Sequence, residues 1–588
     1  MCGICGEFKF ISKSFDNEKL NNLMDSISAR GNDSQGRYMD DDVFLGHHRL
    51  AIIDTSNKSN QPMQVGKYVI VFNGVIFNYR ELRSALLKRG HSFSSSGDTE
   101  VIIRSYIEYG SDCVNYLDGV FAFCIYDTEN KKLFLARDRI GIKPLYFLHE
   151  SGQLYFSSHM KGIIKNMVKR KINPIALNYQ FTLHSVVPAP HTIIDNIQKL
   201  EPGHTITVHK SGRIDRARYF NIDEIQLSKY NTQEIYENIS SLLTAAIEKR
   251  ISVADVPVGV LLSGGLDSSL ITAISKEYKN NLNTYSIGFE TINNEEGNEF
   301  HYSDMVANDL NTLHEKYSVT SFDLLNSLDD VIMSMSEPMF SQDSSAFYLL
   351  AKNVSKSAKV VLSGQGADEV FGGYFWYEKI MNETNLNSIE TLSKYYFDRS
   401  YENFKTIVHS DFVHENYTSN DIGSRLKQMD PSLSILDKIF RLELAMFIID
   451  DPVKRVDNMT MSHSLEARVP FLDIDLISFM LSVKSEKKIE NGEKCLLKEV
   501  SKKYLNNKII NREKFYFPVP PLKIIKDKFF DYCSKTLLSE SALERNLYNT
   551  TYINKILEKP NEHFTNLNGN ELWHFTLLER WLQLNIDQ

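Results

Sequence analysis

Runs of β-branched and aromatic residues, separated by Gly, Asp and Asn turns, fill the first third of the chain: residues 43–53, 68–77, 120–126, 133–137 and 153–157. Two stretches with apolar residues at three- and four-residue intervals, 79–89 and 99–109, interrupt these strands and predict helices. Together they describe an α+β unit. The pattern changes after about Tyr219. An amphipathic helix is predicted over 232–250, and then short apolar strands (256–262, 284–289, 314–319, 358–362) alternate with helices (268–278, 302–310). Such alternation predicts a parallel, doubly wound sheet. Beyond Gly373 the pattern is mainly helical. The polar stretch between Asn221 and Thr232 is the expected boundary, giving domains of 1–220 and 232–588.

At 588 residues the chain exceeds one core. With 42% hydrophobic and 24% charged residues it has an ordinary globular composition. A net charge of −9 argues against a broad nucleic-acid or anionic-membrane face. The basic cluster KNMVKRK (165–171) then reads as solvated surface, and the aromatic stretch 371–377 as pocket wall or core. Six cysteines form neither a disulfide framework nor a zinc spacing, which points to a reducing, cytoplasmic setting. No signal peptide or membrane-length apolar run is evident.

The start, MCGICG, carries chemistry. Removal of Met1 makes Cys2 the first residue, with a thiol and an α-amine on one skeleton. Their ordinary pKa values, about 8.5 and about 7.7–8.0, lie near neutrality. The amine can therefore take the thiol proton without a separate histidine. A thiolate attacking a carboxamide needs donors for the oxyanion, and Asn73 with the Gly74 N–H, expected at the end of the strand VIVF, can supply them. Arg49 can hold a carboxylate bidentately and Asp98 an ammonium, the two charges of an α-amino acid such as glutamine.

MCGICG, ARGNDSQG, GHHRLAIID, FNGVIFNY, SGDTE and ARDRIGIKPLY resemble the N-terminal-nucleophile glutaminase domain of the asparagine synthetase family. The resemblance implies Cys2 as nucleophile, Asn73 and Gly74 as oxyanion hole, and Arg49, Ile53, Asn73, Gly74 and Asp98 as the glutamine-binding set. Two positions depart from that family: Val75 stands where Glu is usual and Asn32 where Pro is usual.

Further along, PVGVLLSGGLDSSLI places SGGLDSS between an apolar strand and a helix. Gly264 and Gly265 let the backbone approach an anion, Ser263, Ser268 and Ser269 offer hydroxyls, and the helix start adds partial positive charge. It lacks the lysine of a GxxxxGK[ST] loop. A second loop, SGQGADE (363–369), follows another buried strand, and in a doubly wound sheet both open onto one crevice. Asp267 and Asp368 can share a Mg²⁺ there.

These loops resemble the ATP-pyrophosphatase domain (adenine nucleotide alpha hydrolase-like) of the same family, so the resemblance spans essentially the whole chain. It implies pyrophosphate binding by 263–269, an adenylate site lined by Leu261, Ile287, Ser363 and Gly364, and Asp267 and Asp368 beside magnesium. It also implies that Lys494, in NGEKCLLKEV, steadies the pentavalent phosphorus. The stretch DNMTMSHSLEARVPFLD, with Arg468, matches too. The implied reaction hydrolyses glutamine, adenylates an acceptor carboxylate with ATP, and lets ammonia displace AMP, turning aspartate into asparagine. Family members are often dimers.

Gln365 stands where the family usually has an acid that helps form the aspartyl-adenylate. SGQGADEVFGGYFWY, VVPAPHTI, DDPVKRVDNMTM and FYFPVPPLK are similar to a subgroup, the N-acetylglutaminylglutamine amidotransferases, that amidates a capped dipeptide. Both acceptors stay open at this point. A non-catalytic nucleotide- or amino-acid-binding protein is the competing class, and intact Cys2, Asn73, Asp267 and Lys494 weigh against it.

Overall fold

The computed structural model describes residues 2–11, 14–292, 295–382, 389–514 and 519–587. Met1 and residues 515–518, the FYFP of FYFPVPPLK, lie outside them. The strands in chain order are β1 (Gly3–Lys9), β2 (Ser34–Met39), β3 (Val43–Arg49), β4 (Met63–Val65), β5 (Tyr68–Ile76), β6 (Gly119–Asp127), β7 (Lys132–Arg137), β8 (Tyr146–Glu150), β9 (Gln153–Ser157), β10 (Ile197–Lys199), β11 (His204–His209) and β12 (Ile214–Arg218). They form two antiparallel six-stranded sheets, β10-β8-β9-β1-β3-β2 and β12-β11-β7-β6-β5-β4.

Period-two alternation explains how the sheets stack. Val69 and Val71 of β5 join Ile4 and Phe8 of β1 and Leu45 of β3 in a core between the sheets. Ile70 and Phe72, on the other face of β5, belong to a second core with Val101 and Ile102 of the helix Asp98–Tyr109. Cys5 of β1 likewise sits with Leu23 and Met24 of the helix Asn17–Ile27. The N-terminal part is thus a helix–sheet–sheet–helix sandwich, and strands beyond those read from the pattern (β1, β2, β4, β8, β10 to β12) complete it.

The helix Thr232–Ser252 follows, opened by a capping box between Asn231 and Glu234 and buried along Ile235, Ile239, Leu243 and Ile247. Its last turn is tied down by Lys249 and Arg250, 2.6 and 2.8 Å from Asp473. Then come β13 (Val258–Leu261), β14 (Asn283–Phe289), β15 (Leu313–Val319), β16 (Val360–Leu362) and β17 (Glu466–Arg468). They form a parallel sheet in the order β15-β14-β13-β16-β17. β13 and β16 are buried at every residue, as parallel strands covered on both faces must be.

Beyond Gly373 the described residues are mainly helical, as read, and β17 is an addition to that reading. Three residues of mixed polarity carry no strand period, and only pairing with β16 makes them a strand. Elsewhere that region is helical, with two successive π-helical turns, Glu443–Phe447 and Ile449–Val453. No helix among the described residues is long and apolar enough to cross a membrane.

Candidate functional site

Two sites emerge, one in each part of the chain, and β17 touches both.

The first is a cavity of about 30 Å³ lined by Cys2, Arg49, Ile53, Gly74 and Asp98, together with Glu466 and Arg468 of β17. Five of the sequence-expected residues therefore meet, and Asn73 adjoins them. The Cys2 N–H donates to Asn73 Oδ1 at 3.1 Å, while Asn73 Nδ2 is buried with no hydrogen-bond partner. A buried amide donor without an acceptor is costly unless a ligand completes it. Asn73 and Gly74 do not end their strand as expected; β5 continues to Ile76, paired with β6 at Asn73–Ala122 and Gly74–Phe121. Burial pushes the Cys2 thiol up from its ordinary value.

Arg49 is placed differently from a free bidentate clamp. One terminal nitrogen donates to the Ser56 carbonyl and Asn60 Oδ1, both at 2.7 Å, and the other to the Asp54 carbonyl. These contacts hold the loop after β3 against the pocket, so gripping a ligand requires some of them to be exchanged. Asp98 accepts from the Ile76 N–H at 3.1 Å, and burial raises its carboxyl to about 6. Opposite, burial would raise Glu466 too, but the Arg468 guanidinium at 2.5 Å holds it down at about 2. A permanent carboxylate from the C-terminal part therefore faces the thiol pocket.

The second site lies at the carboxyl ends of β13 and β16. A cavity of about 170 Å³ is lined by Leu261, Ser263, Gly265, Asp267, Ser268, Ile287, Ser363, Gly364 and Gln365, with Asp368. The loop is braced by its own serines: the Ser263 N–H donates to Ser268 Oγ at 3.2 Å and the Gly265 N–H to Ser263 Oγ at 3.3 Å. Gly264 adopts a left-handed backbone (φ 79°), where a side chain would also meet the backbone of Ser303. Ser269 Oγ is buried without a partner. The Ser363 N–H donates to the Arg468 carbonyl at 2.9 Å, so β17 is bonded to the nucleotide loop while it lines the thiol pocket.

Lys494 joins the two loops. Its ammonium lies 2.7 Å from Asp267 and 2.8 Å from Asp368, and Lys514 adds a contact of 2.7 Å to Asp368. Burial opposes the charges on Lys494 and Asp368, but the pairing keeps Lys494 protonated and Asp368 ionised. Lys494 does this from a left-handed backbone (φ 52°), a strained conformation for a lysine. Asp267 Oδ1 is buried and unpartnered.

A much larger cavity, about 1050 Å³, opens from the same loops. It shares Ser263, Gly265, Asp267, Gln365 and Asp368 with the smaller one, so Gln365 stands at the junction. Its walls include Tyr374, Phe375 and Trp376 from the aromatic stretch, Asp451 within the second π-helical turn and Arg455 just after it. Arg455 lies 2.7 Å from Asp451 and 3.7 Å from Asp343. The π-helical segment is pinned from the N-terminal part by Lys199, 2.6 Å from Asp450 and 2.9 Å from Glu337.

Sequence reading did not assign Glu466, Lys514, Lys199 or the Arg30–Asp457 pair. Arg30 Nε donates to the Cys2 carbonyl at 3.2 Å and Nη1 to Asp457 at 2.9 Å. Apart from Glu466, whose partner Arg468 is two residues away, none of these belongs to a local motif with its partner; the separations run to 427 residues.

Two family models match the chain: "Asparagine synthase" over residues 238–583 and "Glutamine amidotransferase domain" over residues 1–220. The chain is 29% identical to glutamine-hydrolyzing asparagine synthetase 1 of Bacillus subtilis, covering 100% of this chain and 97% of that protein. It is 32% identical to asparagine synthetase 3 of the same organism, covering 88% and 87%. Among solved structures, the glutamine phosphoribosylpyrophosphate amidotransferase of B. subtilis matches with a TM-score of 0.30 and 13% identity, covering 55% of this chain and 92% of that one.

Proposed function

The chain belongs to the asparagine synthase family, so it is an ATP-dependent ligase that takes its nitrogen from glutamine, and we propose that Cys2 and Lys494 divide the work. Its fold is an N-terminal-nucleophile glutaminase sandwich joined to a doubly wound ATP-pyrophosphatase domain, with the division between them proposed at 221–231.

In this reading the Cys2 thiolate attacks the glutamine carboxamide, and Asn73 Nδ2 with the Gly74 N–H receives the oxyanion. The unpartnered Asn73 donor beside the thiol carries the proposal. Ammonia leaves, and water hydrolyses the glutamyl thioester. At the second site an acceptor carboxylate oxygen attacks the α-phosphorus of ATP. Pyrophosphate departs onto the 263–269 loop, Lys494 offsets the charge at phosphorus, and ammonia then displaces AMP from the acyl-adenylate. Asp267 and Asp368 fit a Mg²⁺: two carboxylates converge, and Asp267 Oδ1 has no other partner. When bound, that ion neutralises charge on the phosphates. Six free cysteines suit a reducing compartment, the cytoplasm.

Aspartate is the acceptor that the names of the relatives support, with asparagine as product. One observation favours the capped dipeptide instead. Pockets for drug-sized ligands span roughly 300–1,000 Å³, and the cavity beside Gln365 measures about 1050 Å³. The test supplies ATP, Mg²⁺ and glutamine and follows pyrophosphate release with aspartate or with N-acetylglutaminylglutamine, the amide being identified by mass. Release with aspartate alone assigns asparagine synthesis. Release with the dipeptide alone assigns the longer acceptor.

A further inference from the structure

One residue of the glutaminase portion reaches the wall of the large cavity. His184 lines it, with Phe340, Asn568 and His574. Its backbone is left-handed (φ 50°), and so is that of Ser185 (φ 68°), two consecutive non-glycine residues in a region that costs energy. The turn is held by the Ser185 N–H donating to the Gln180 carbonyl at 2.8 Å and by the Phe340 N–H donating to Ser185 Oγ at 3.0 Å. It brings His184 Nδ1 to 3.2 Å from Asp398, a carboxylate also held by Arg399 at 3.2 Å. Burial would lower the imidazole, but Asp398 outweighs it and raises the pKa, which favours the doubly protonated ring. Nδ1–H is committed to Asp398, and Nε2–H is the ring's open donor.

The cluster of His184, Asp398 and His574 has the spacing of a metal site. Arg399 argues against one, because its guanidinium donates to His574 Nδ1 at 3.1 Å and is buried between the same ligand atoms. A second cation there would be repelled. The cluster instead presents a hydrogen-bond donor to an oxygen.

We propose that His184 binds a carbonyl or carboxamide oxygen of the acceptor, at the end remote from the carboxylate that is adenylated. The inference rests on the dipeptide-length acceptor of the proposed function, which has a second carbonyl-bearing end to place in this cavity. It makes the glutaminase portion a direct determinant of acceptor choice.

His184→Asn is the informative variant, because Asn tolerates the left-handed backbone but is too short to replace Nε2. The Michaelis constant for N-acetylglutaminylglutamine should rise by about tenfold, the usual worth of one charge-assisted hydrogen bond. His184→Gln, which retains a donor, should fall between wild type and Asn. The constants for ATP and glutamine and the glutaminase rate should stay within about twofold, because His184 lines neither the smaller nucleotide-loop cavity nor the thiol pocket. Wild type that amidates the dipeptide, with an unchanged constant in His184→Asn, overturns the inference and leaves the acceptor reading intact. Loss of glutaminase activity alongside would reveal a structural role and overturn it as well. Wild type that amidates only aspartate removes the acceptor reading, and this inference with it.

Discussion

Lys494 places its ammonium 2.7 Å from the Asp267 carboxylate, across 227 residues of sequence, and so ties the SGGLDSS loop to the C-terminal helices. With Asp368 on its other side, the lysine contacts both phosphate loops. Lys494→Met should lower pyrophosphate release with any acceptor by about a hundredfold or more, the cost of losing one preorganised charge at a reacting centre. Glutamate production from glutamine should persist. A parallel fall in both rates would mean that the two sites do not act separately.

Asp98 gives a pH signature. Burial raises its carboxyl to about 6, so it protonates as pH falls through that value and loses its charge for the ammonium of glutamine. The kcat/KM for glutamine should level off above about pH 6 and fall about tenfold per unit below it. Asp98→Asn should abolish this inflection. A pKa raised on folding contributes stability that is present below the unfolded value and lost as pH rises through about 6. At neutral pH, Asp98→Asn should therefore impair glutamine hydrolysis without lowering the thermal midpoint.

Gly373 packs against the same charge cluster. A methyl group there would overlap Asp368 Oδ1 and Lys494 Cε. Gly373→Ala should displace the lysine and raise the Michaelis constant for ATP by about tenfold or more. Circular dichroism should stay unchanged.

Asp457 is buried between Arg30 at 2.9 Å and Lys143 at 3.4 Å, both from the N-terminal part. These cations hold its carboxyl below the usual range although burial opposes ionisation. Asp457→Asn leaves two buried cations short of a counter-charge and should destabilise the protein by about 3 kcal/mol. Because Arg30 also donates to the Cys2 carbonyl, glutaminase activity should fall more than pyrophosphate release, as paired assays at one temperature will show.

Much of this protein is written locally. An apolar run ending in SGGLDSS makes a strand, a turn that admits phosphate and a helix, since all three depend on neighbouring residues. The same holds for the β5 alternation that carries Asn73 and for the capping box at Asn231 that opens the C-terminal part. Cys2, Arg49, Ile53, Gly74 and Asp98 were recognisable because each sits in a motif, and the fold brings them to one cavity. What only the tertiary structure decided are pairings between distant segments. β17 is a strand because β16 lies beside it, and that pairing alone carries Glu466 to the thiol pocket. Arg49 became occupied by loop carbonyls, which its residue type does not reveal. His184 faces the large cavity because Asp398, 214 residues away, receives its Nδ1. The physical reason is common to these cases: the backbone reads local spacing, whereas burial of a charge is tolerated only where folding supplies its partner.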